Sequence, residues 1–269
     1  MSEISYDVKG AAAVIRFERP DKLNAFTYQM LNDFRHAVKR AETDPDVFGI
    51  VITGAGRAFS AGLDTGALTA TAAAGSSSGR NVKRDEGELP ALFSYLLQIE
   101  KPVIAAINGV AAGGGFVLAM MCDLRFCAEE ASFTTAFSRR GLVAEHGTSY
   151  LLPRLVGTSR ALDLLWSARR IDAAEAQRIG FADRVVPGSL LMDVTLAYLA
   201  DLAANVSPHS VAQMKTAVYR HLSMPLADAL IDADKITYAA LDHPDAKEGV
   251  ASFVERRAPR FAPLTGGKK

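Results

Sequence analysis

Two short runs constrain this chain more than any other feature. Val47 to Thr53 and Val103 to Ile107 are apolar and β-rich along their length rather than at every second position. A strand with one wet face alternates, so a uniformly apolar strand must be covered on both faces. The first run ends in Gly54-Ala55-Gly56, and the second, preceded by Pro102, leads to Gly109 and Gly113-Gly114-Gly115. Ala12 to Phe17 and Asp123 to Phe126 read as further short strands. Between them, Phe26, Met30, Leu31, Phe34, Val38 and Ala41 recur at helical spacing, which predicts an amphipathic helix over Thr27 to Glu42. Phe116 to Met121 also reads as helical. Strands alternating with helices predict an α/β fold around a buried, largely parallel sheet.

The character changes after about residue 155. Asp172 to Arg178, Leu190 to Ala204, Ser207 to His221, Leu226 to Leu241 and Asp245 to Arg256 carry helical periodicity, with Ser207-Pro208 and Pro244 as helix starts. The expected division is an α/β core over 1–190 and a helical tail over 191–269. No internal repeat is visible. Gly66 to Gly87 is rich in Ala, Thr, Gly and Ser, and then in charge. It has little to bury, so it is expected to be mobile or loosely helical, either as a lid or as a plain surface insertion.

Composition narrows the function classes. The chain has 269 residues, 30 basic and 30 acidic, for a formal net charge of zero. That balance gives no reason to expect a nucleic-acid partner. Two cysteines, Cys122 and Cys127, are too few for a disulfide framework or a zinc site and read as small buried hydrophobes. The longest apolar run, Val110 to Cys122, is about 13 residues with interrupting glycines, short of the ~20 that span a bilayer. The N-terminal residues show no basic and apolar secretion pattern. The expectation is a cytoplasmic protein with no membrane partner and no metal.

Two glycine-containing turns follow buried strands: Ala58-Phe59-Ser60-Ala61-Gly62-Leu63-Asp64, and Asn108-Gly109-Val110-Ala111-Ala112-Gly113-Gly114-Gly115. Neither has the spacing of a nucleotide-phosphate loop. Both free backbone N–H groups, and Gly113 to Gly115 opens a helix whose N-terminus favours negative oxygen. Two converging donors would make an oxyanion hole. The glycines would equally serve close packing of helix on strand.

These turns, with Arg19-Pro20-Asp21-Lys22-Leu23-Asn24-Ala25, Gly141-Leu142-Val143 and Leu152-Pro153-Arg154-Leu155-Val156-Gly157, resemble the enoyl-CoA hydratase/isomerase (crotonase) family over nearly the whole chain. The resemblance implies a crotonase-like spiral of ββα repeats with a C-terminal helical trimerisation region, assembled as a trimer or a dimer of trimers. It implies an acyl-CoA substrate and no separate cofactor, coenzyme A being part of that substrate. It makes the N–H groups of Leu63 and Gly114 the oxyanion donors, with Gly113 beside them. Lys22, Leu23 and Ala25 match a strip lining the pantetheine and adenine pocket, and Ala61, Asp64 and Thr65 match its opposite wall.

The chain departs from the family at the usual acids. The positions of the two glutamates of a typical hydratase hold Val117 and Phe137 here, and no acid lies between Ala131 and Val143. Glu145 stands at a third position, where the resemblance places the carboxylate of members that shift double bonds and of some that hydrolyse or dehalogenate. His146, Arg139 and Arg140 read as surface or packed groups, the arginines also as contacts for phosphate or carboxylate. One acid suffices for a double-bond shift, which needs one proton taken and returned. The favoured reading is enoyl-CoA isomerisation with Glu145 as the acid/base and Phe137 against the acyl chain. Hydration by atypical residues and CoA-ester binding without chemistry stand as alternatives.

Overall fold

The computed structural model describes residues 3–67, 69 and 87–264. Most of the weakly apolar stretch, residues 68 and 70–86, lies outside the described residues. The chain begins with a hairpin, β1 (Ile4–Lys9) and β2 (Ala12–Phe17), followed by helix α1 (Tyr28–Thr43). The Thr27 hydroxyl caps α1 by accepting the Met30 N–H at 3.1 Å, and Met30, Phe34, Val38 and Ala41 form its buried stripe. Strands β3 (Gly49–Gly54), β5 (Val103–Ile107) and β7 (Leu124–Ala128) then join β2 in parallel, with β10 (Arg184–Val186) at the far edge. The six-stranded order is β1-β2-β3-β5-β7-β10.

The period of two explains why these strands are apolar throughout. Ile50, Ile52, Val103, Ala105 and Ile107 enter one core with α1 and the aromatic cluster around Phe17, Phe26 and Phe34. Val51, Ile104, Ala106 and Phe126 enter a second core on the opposite face, closed by Leu191 and Leu199 of α6 (Leu191–Asn205). The sheet is therefore covered on both sides.

A second sheet carries the site. Strands β4 (Ala58–Ser60), β6 (Val110–Ala112), β8 (Ser132–Thr134) and β9 (Ile171–Asp172) form it in that order, parallel except at the β8–β9 edge. The chain places β3, β5 and β7 in the first sheet and, after each, β4, β6 and β8 in the second. Helix α2 (Gly114–Met121) follows β6; α3 (Thr148–Val156) and α4 (Thr158–Ser167) follow β8. This is a spiral of ββα turns, a structural repeat with no visible sequence repeat. Helix α5 (Ala173–Arg178) leads to β10, and α6 is followed by α7 (Pro208–His221), α8 (Leu226–Asp242) and α9 (Pro244–Glu255). Cys122 and Cys127 are buried free thiols whose ionisation burial pushes well upward, to about 12 for Cys127.

Candidate functional site

Gly62 and Gly114 bring the two turns into contact. A methyl built on Gly62 would lie 2.8 Å from the Ala112 carbonyl oxygen and 2.9 Å from the Gly114 nitrogen. Gly62 has φ +91, a conformation that glycine alone adopts freely. Gly115 is held as closely from below: a methyl there would lie 2.1 Å from the Ser60 carbonyl oxygen. The glycine pattern thus serves close packing of the two turns.

The donors themselves are unspent. Phe26 and Leu63 form an isolated parallel bridge in which the Phe26 N–H donates to Gly62 O at 2.7 Å and the Asp64 N–H to Phe26 O at 3.0 Å. A parallel bridge uses the residues flanking Leu63, so the Leu63 N–H faces away and has no acceptor among the described residues. Gly114 is the first residue of α2, where helical N–H groups have no partner four residues back. Its cap, Gly113, spends its own N–H on Thr134 O at 3.0 Å and lends its carbonyl to the Val117 N–H at 3.0 Å. Gly114 is half-buried while Gly113 and Gly115 are buried. The positive end of α2 is open at that one residue.

The matched binding residues fall into two runs lying side by side. The Ala61 N–H donates to Leu23 O at 2.9 Å, continuing the pairing that joins Phe26 to the Leu63 turn. Lys22 is exposed, Leu23 half-buried with φ 51, and Ala25 buried. Asp64 accepts the Gly66 N–H at 2.9 Å and sits 3.3 Å from the Arg19 guanidinium. The Gly66 bond above all, with Arg19 adding, holds its carboxyl below the usual aspartate range. Thr65 is exposed beside it.

The third component is the loop from Phe137 to Gly147. It turns tightly, the Phe137 carbonyl accepting both the Arg140 and Leu142 N–H groups. Arg140 Nη1 lies 3.8 Å from the point a methyl on Gly113 would occupy, whereas Gly147 packs on Met121 at the other end of α2. The loop therefore flanks α2, and Glu145 lies on it between those two contacts. The Glu145 carbonyl accepts the Thr148 N–H at 3.0 Å and the Thr148 hydroxyl at 2.6 Å, which fixes its backbone to the start of α3. Its carboxylate is 35% exposed, lies 3.4 Å from His146 Nε2, and has no Arg or Lys partner among the described residues. Val117 and Phe137 are buried and apolar. Arg139 donates to the Ser167 carbonyl. The sequence pattern points to the donor turns but not to Asn24, Ser60 and Asn108, whose side chains bind the backbone of the first turn and the segment leading into it.

The chain matches the family model described as enoyl-CoA hydratase/isomerase over residues 7–263. It is 36% identical over 251 residues to a probable enoyl-CoA hydratase of Mycobacterium leprae, covering 92% of this chain and 93% of that protein. It is 31% identical over 252 residues to the peroxisomal Delta(3,5)-Delta(2,4)-dienoyl-CoA isomerase of Arabidopsis thaliana, with 91% of each covered. An enoyl-CoA hydratase from Bacillus anthracis has a similar structure, with a TM-score of 0.87, 28% identity, and coverage of 97% of this chain and 99% of that one.

Proposed function

The chain belongs to the enoyl-CoA hydratase/isomerase family and is an enzyme of that class; from that premise we propose that it shifts the double bond of an enoyl-CoA thioester, with Glu145 as its single acid/base. The observation that carries the reading is the chemistry left at the site. Val117 and Phe137 leave no titratable group at two places, and Glu145 stands on the loop along α2 with no Lys or Arg partner among the described residues.

The thioester oxygen would accept the Leu63 and Gly114 N–H groups. Those donors, with the positive end of α2, stabilise negative charge on that oxygen, and one such donor contributes about 2.7–4 kcal/mol in other enzymes. Stabilising the enolate acidifies the carbon next to the carbonyl. Glu145 would take a proton there, the double bond would move into conjugation, and the same proton would return two carbons further along. Hydration needs in addition a held and activated water. It is the second reading, favoured by the hydratase name of the Mycobacterium leprae relative.

The test is incubation of the pure protein with matched 2-enoyl-CoA and 3-enoyl-CoA esters in heavy water. Conversion of the 3-enoyl to the 2-enoyl ester without 3-hydroxyacyl product is the expected result. Formation of 3-hydroxyacyl-CoA from the 2-enoyl ester would replace the isomerase reading with the hydratase one. Tight binding of every ester with no turnover would leave only the binding reading.

A further inference from the structure

One backbone carbonyl joins the two donor turns. The Ala58 oxygen, at the start of β4, accepts Asn24 Nδ2 at 2.7 Å and Asn108 Nδ2 at 3.2 Å. The two asparagines come from different loops. Asn24 lies within the run that pairs with the Leu63 turn, between Leu23 and Phe26, and Asn108 opens the β5–β6 turn that leads to Gly114. Each also grips the segment from Gly54 to Ala58 elsewhere. Asn24 donates to Ala55 O at 2.9 Å and accepts the Arg19 N–H at 2.9 Å. Asn108 accepts the Gly54 N–H at 3.1 Å and donates to Gly56 O at 2.9 Å.

A further arm reaches the donor residue's neighbour. The Asn24 carbonyl accepts the buried Ser60 hydroxyl at 2.8 Å, and the Ser60 oxygen accepts the Gly62 N–H at 3.2 Å. Gly62 immediately precedes Leu63. Asn24 is fully buried with φ 54, a left-handed conformation that asparagine tolerates better than most residues. Each Asn amide has both donating and accepting ends engaged. Asn24 is buried and Asn108 half-buried, and a polar network satisfied in this way fixes geometry.

We infer that Asn24 and Asn108 are positioning residues that together set the spacing of the Leu63 and Gly114 N–H donors through the shared Ala58 carbonyl. The inference rests on the oxyanion assignment proposed above. Neither asparagine is assigned a contact with substrate. Because both bind one oxygen, a shift of either loop is transmitted to the other, and a misplacement of about 1 Å at a reacting centre costs ~10²-fold in rate.

The test uses a conjugated arylacryloyl-CoA, whose absorption moves to longer wavelength when donors polarise its carbonyl. Asn24→Gly keeps the left-handed backbone accessible and removes the amide; Asn108→Ala removes the second amide. Both are expected to bind this thioester within about threefold of wild type and to lose part of the red shift. Their kcat should fall by ~10–10²-fold with KM nearly unchanged. The double variant should be less than additive, because the two share one acceptor. Folded variants with the wild-type red shift and kcat would overturn the inference alone. Wild type that binds the probe with no red shift would remove the oxyanion assignment, and the inference with it. If Asn24→Gly does not fold, Asn108→Ala carries the test alone, since it removes the other amide on the Ala58 carbonyl, and an unchanged red shift and kcat there are equally fatal.

Discussion

Gly62 and Gly115 are where a single methyl group would separate the backbones that form the site. Alanine at Gly62 would meet both Ala112 O and Gly114 N inside van der Waals distance, in a conformation strained for any side chain. Alanine at Gly115 would strike the Ser60 carbonyl, a backbone atom with no freedom to swing away. Each substitution should cost about 1–3 kcal/mol or more in stability, read as a lower urea midpoint, and Gly62→Ala should also lower kcat. An unchanged midpoint for Gly115→Ala would contradict the close approach of α2 to β4. Glu145→Gln keeps shape and removes basicity, so turnover should fall by ~10²–10⁴-fold while the Kd for a CoA ester stays similar. Retained turnover would remove Glu145 from the mechanism. The two glycine turns stand out in the sequence because their glycines cluster just after apolar strands, and Glu145 because it is the one acid between Ala131 and Leu162. Asn24 and Asn108 are not, because their partners lie 31, 34 and 50–54 residues away and no local pattern announces a shared acceptor.

Elements show the same division between local and distant causes. Val103 to Ile107 is read to the residue, since Pro102 opens it and every position is buried. Helices α6 to α9 are read within about two residues from their period and their Ser or Pro starts. The second sheet escapes because its strands are two or three residues long, too short for any period to show. Strand β1 escapes because its outer half, Asp7 to Lys9, is exposed and carries two charged residues. Helix α4 escapes because Pro153 and Gly157 interrupt the apolar pattern that runs into it from α3. Two contacts of α7 carry predictions. Lys215 donates to Asp123 at 2.7 Å and to the Leu96 and Lys101 carbonyls, and Tyr219 donates to the same Asp123. Lys215→Met leaves that carboxylate without its charge partner and should cost ~3–5 kcal/mol; a loss under ~1 kcal/mol would show the ion pair to be dispensable. His209 of α7 stacks on His243, the cap of α9, with ring centroids 3.8 Å apart and Asp245 and Glu100 as the nearby acids. Burial first, and the second imidazole next, hold His209 below its ordinary value of 6.5 in the folded chain. The unfolded chain then takes up the proton first. Stability is complete above that value and is lost as pH falls from it toward the depressed folded value. The melting temperature should therefore drop between pH 7 and 5, and drop less in His209→Gln; equal pH dependence in both would exclude the histidine stack as the cause.

At the scale of the whole molecule the decisive feature is α8, which is 17 residues long and has no buried residue. A helix inside a finished globule hides one stripe, yet Leu226, Leu230, Ile231, Tyr238 and Leu241 of this helix are all exposed, Leu226 at 76%. Met214 and Val218 on α7 and Val250, Phe253 and Val254 on α9 are exposed as well, with Phe253 at 83%. Other apolar residues of the tail are already used: Leu199 and Leu196 of α6 close the outer face of the six-stranded sheet and are not available to a partner. So many large apolar side chains left exposed on three tail helices are expected to be covered by other protein. The expected cover is further copies of the same chain, three or six in all, as the family resemblance suggests. Light scattering at micromolar concentration should then give the mass of three or six chains. Charges placed on the patch, as in Leu226→Glu with Leu230→Glu, should lower that mass while leaving the helical circular dichroism unchanged, because neither side chain supports the fold of a single chain. A monomer mass for the wild type, or an unchanged assembly in the doubly charged variant, would mean that α8 meets something other than its own kind.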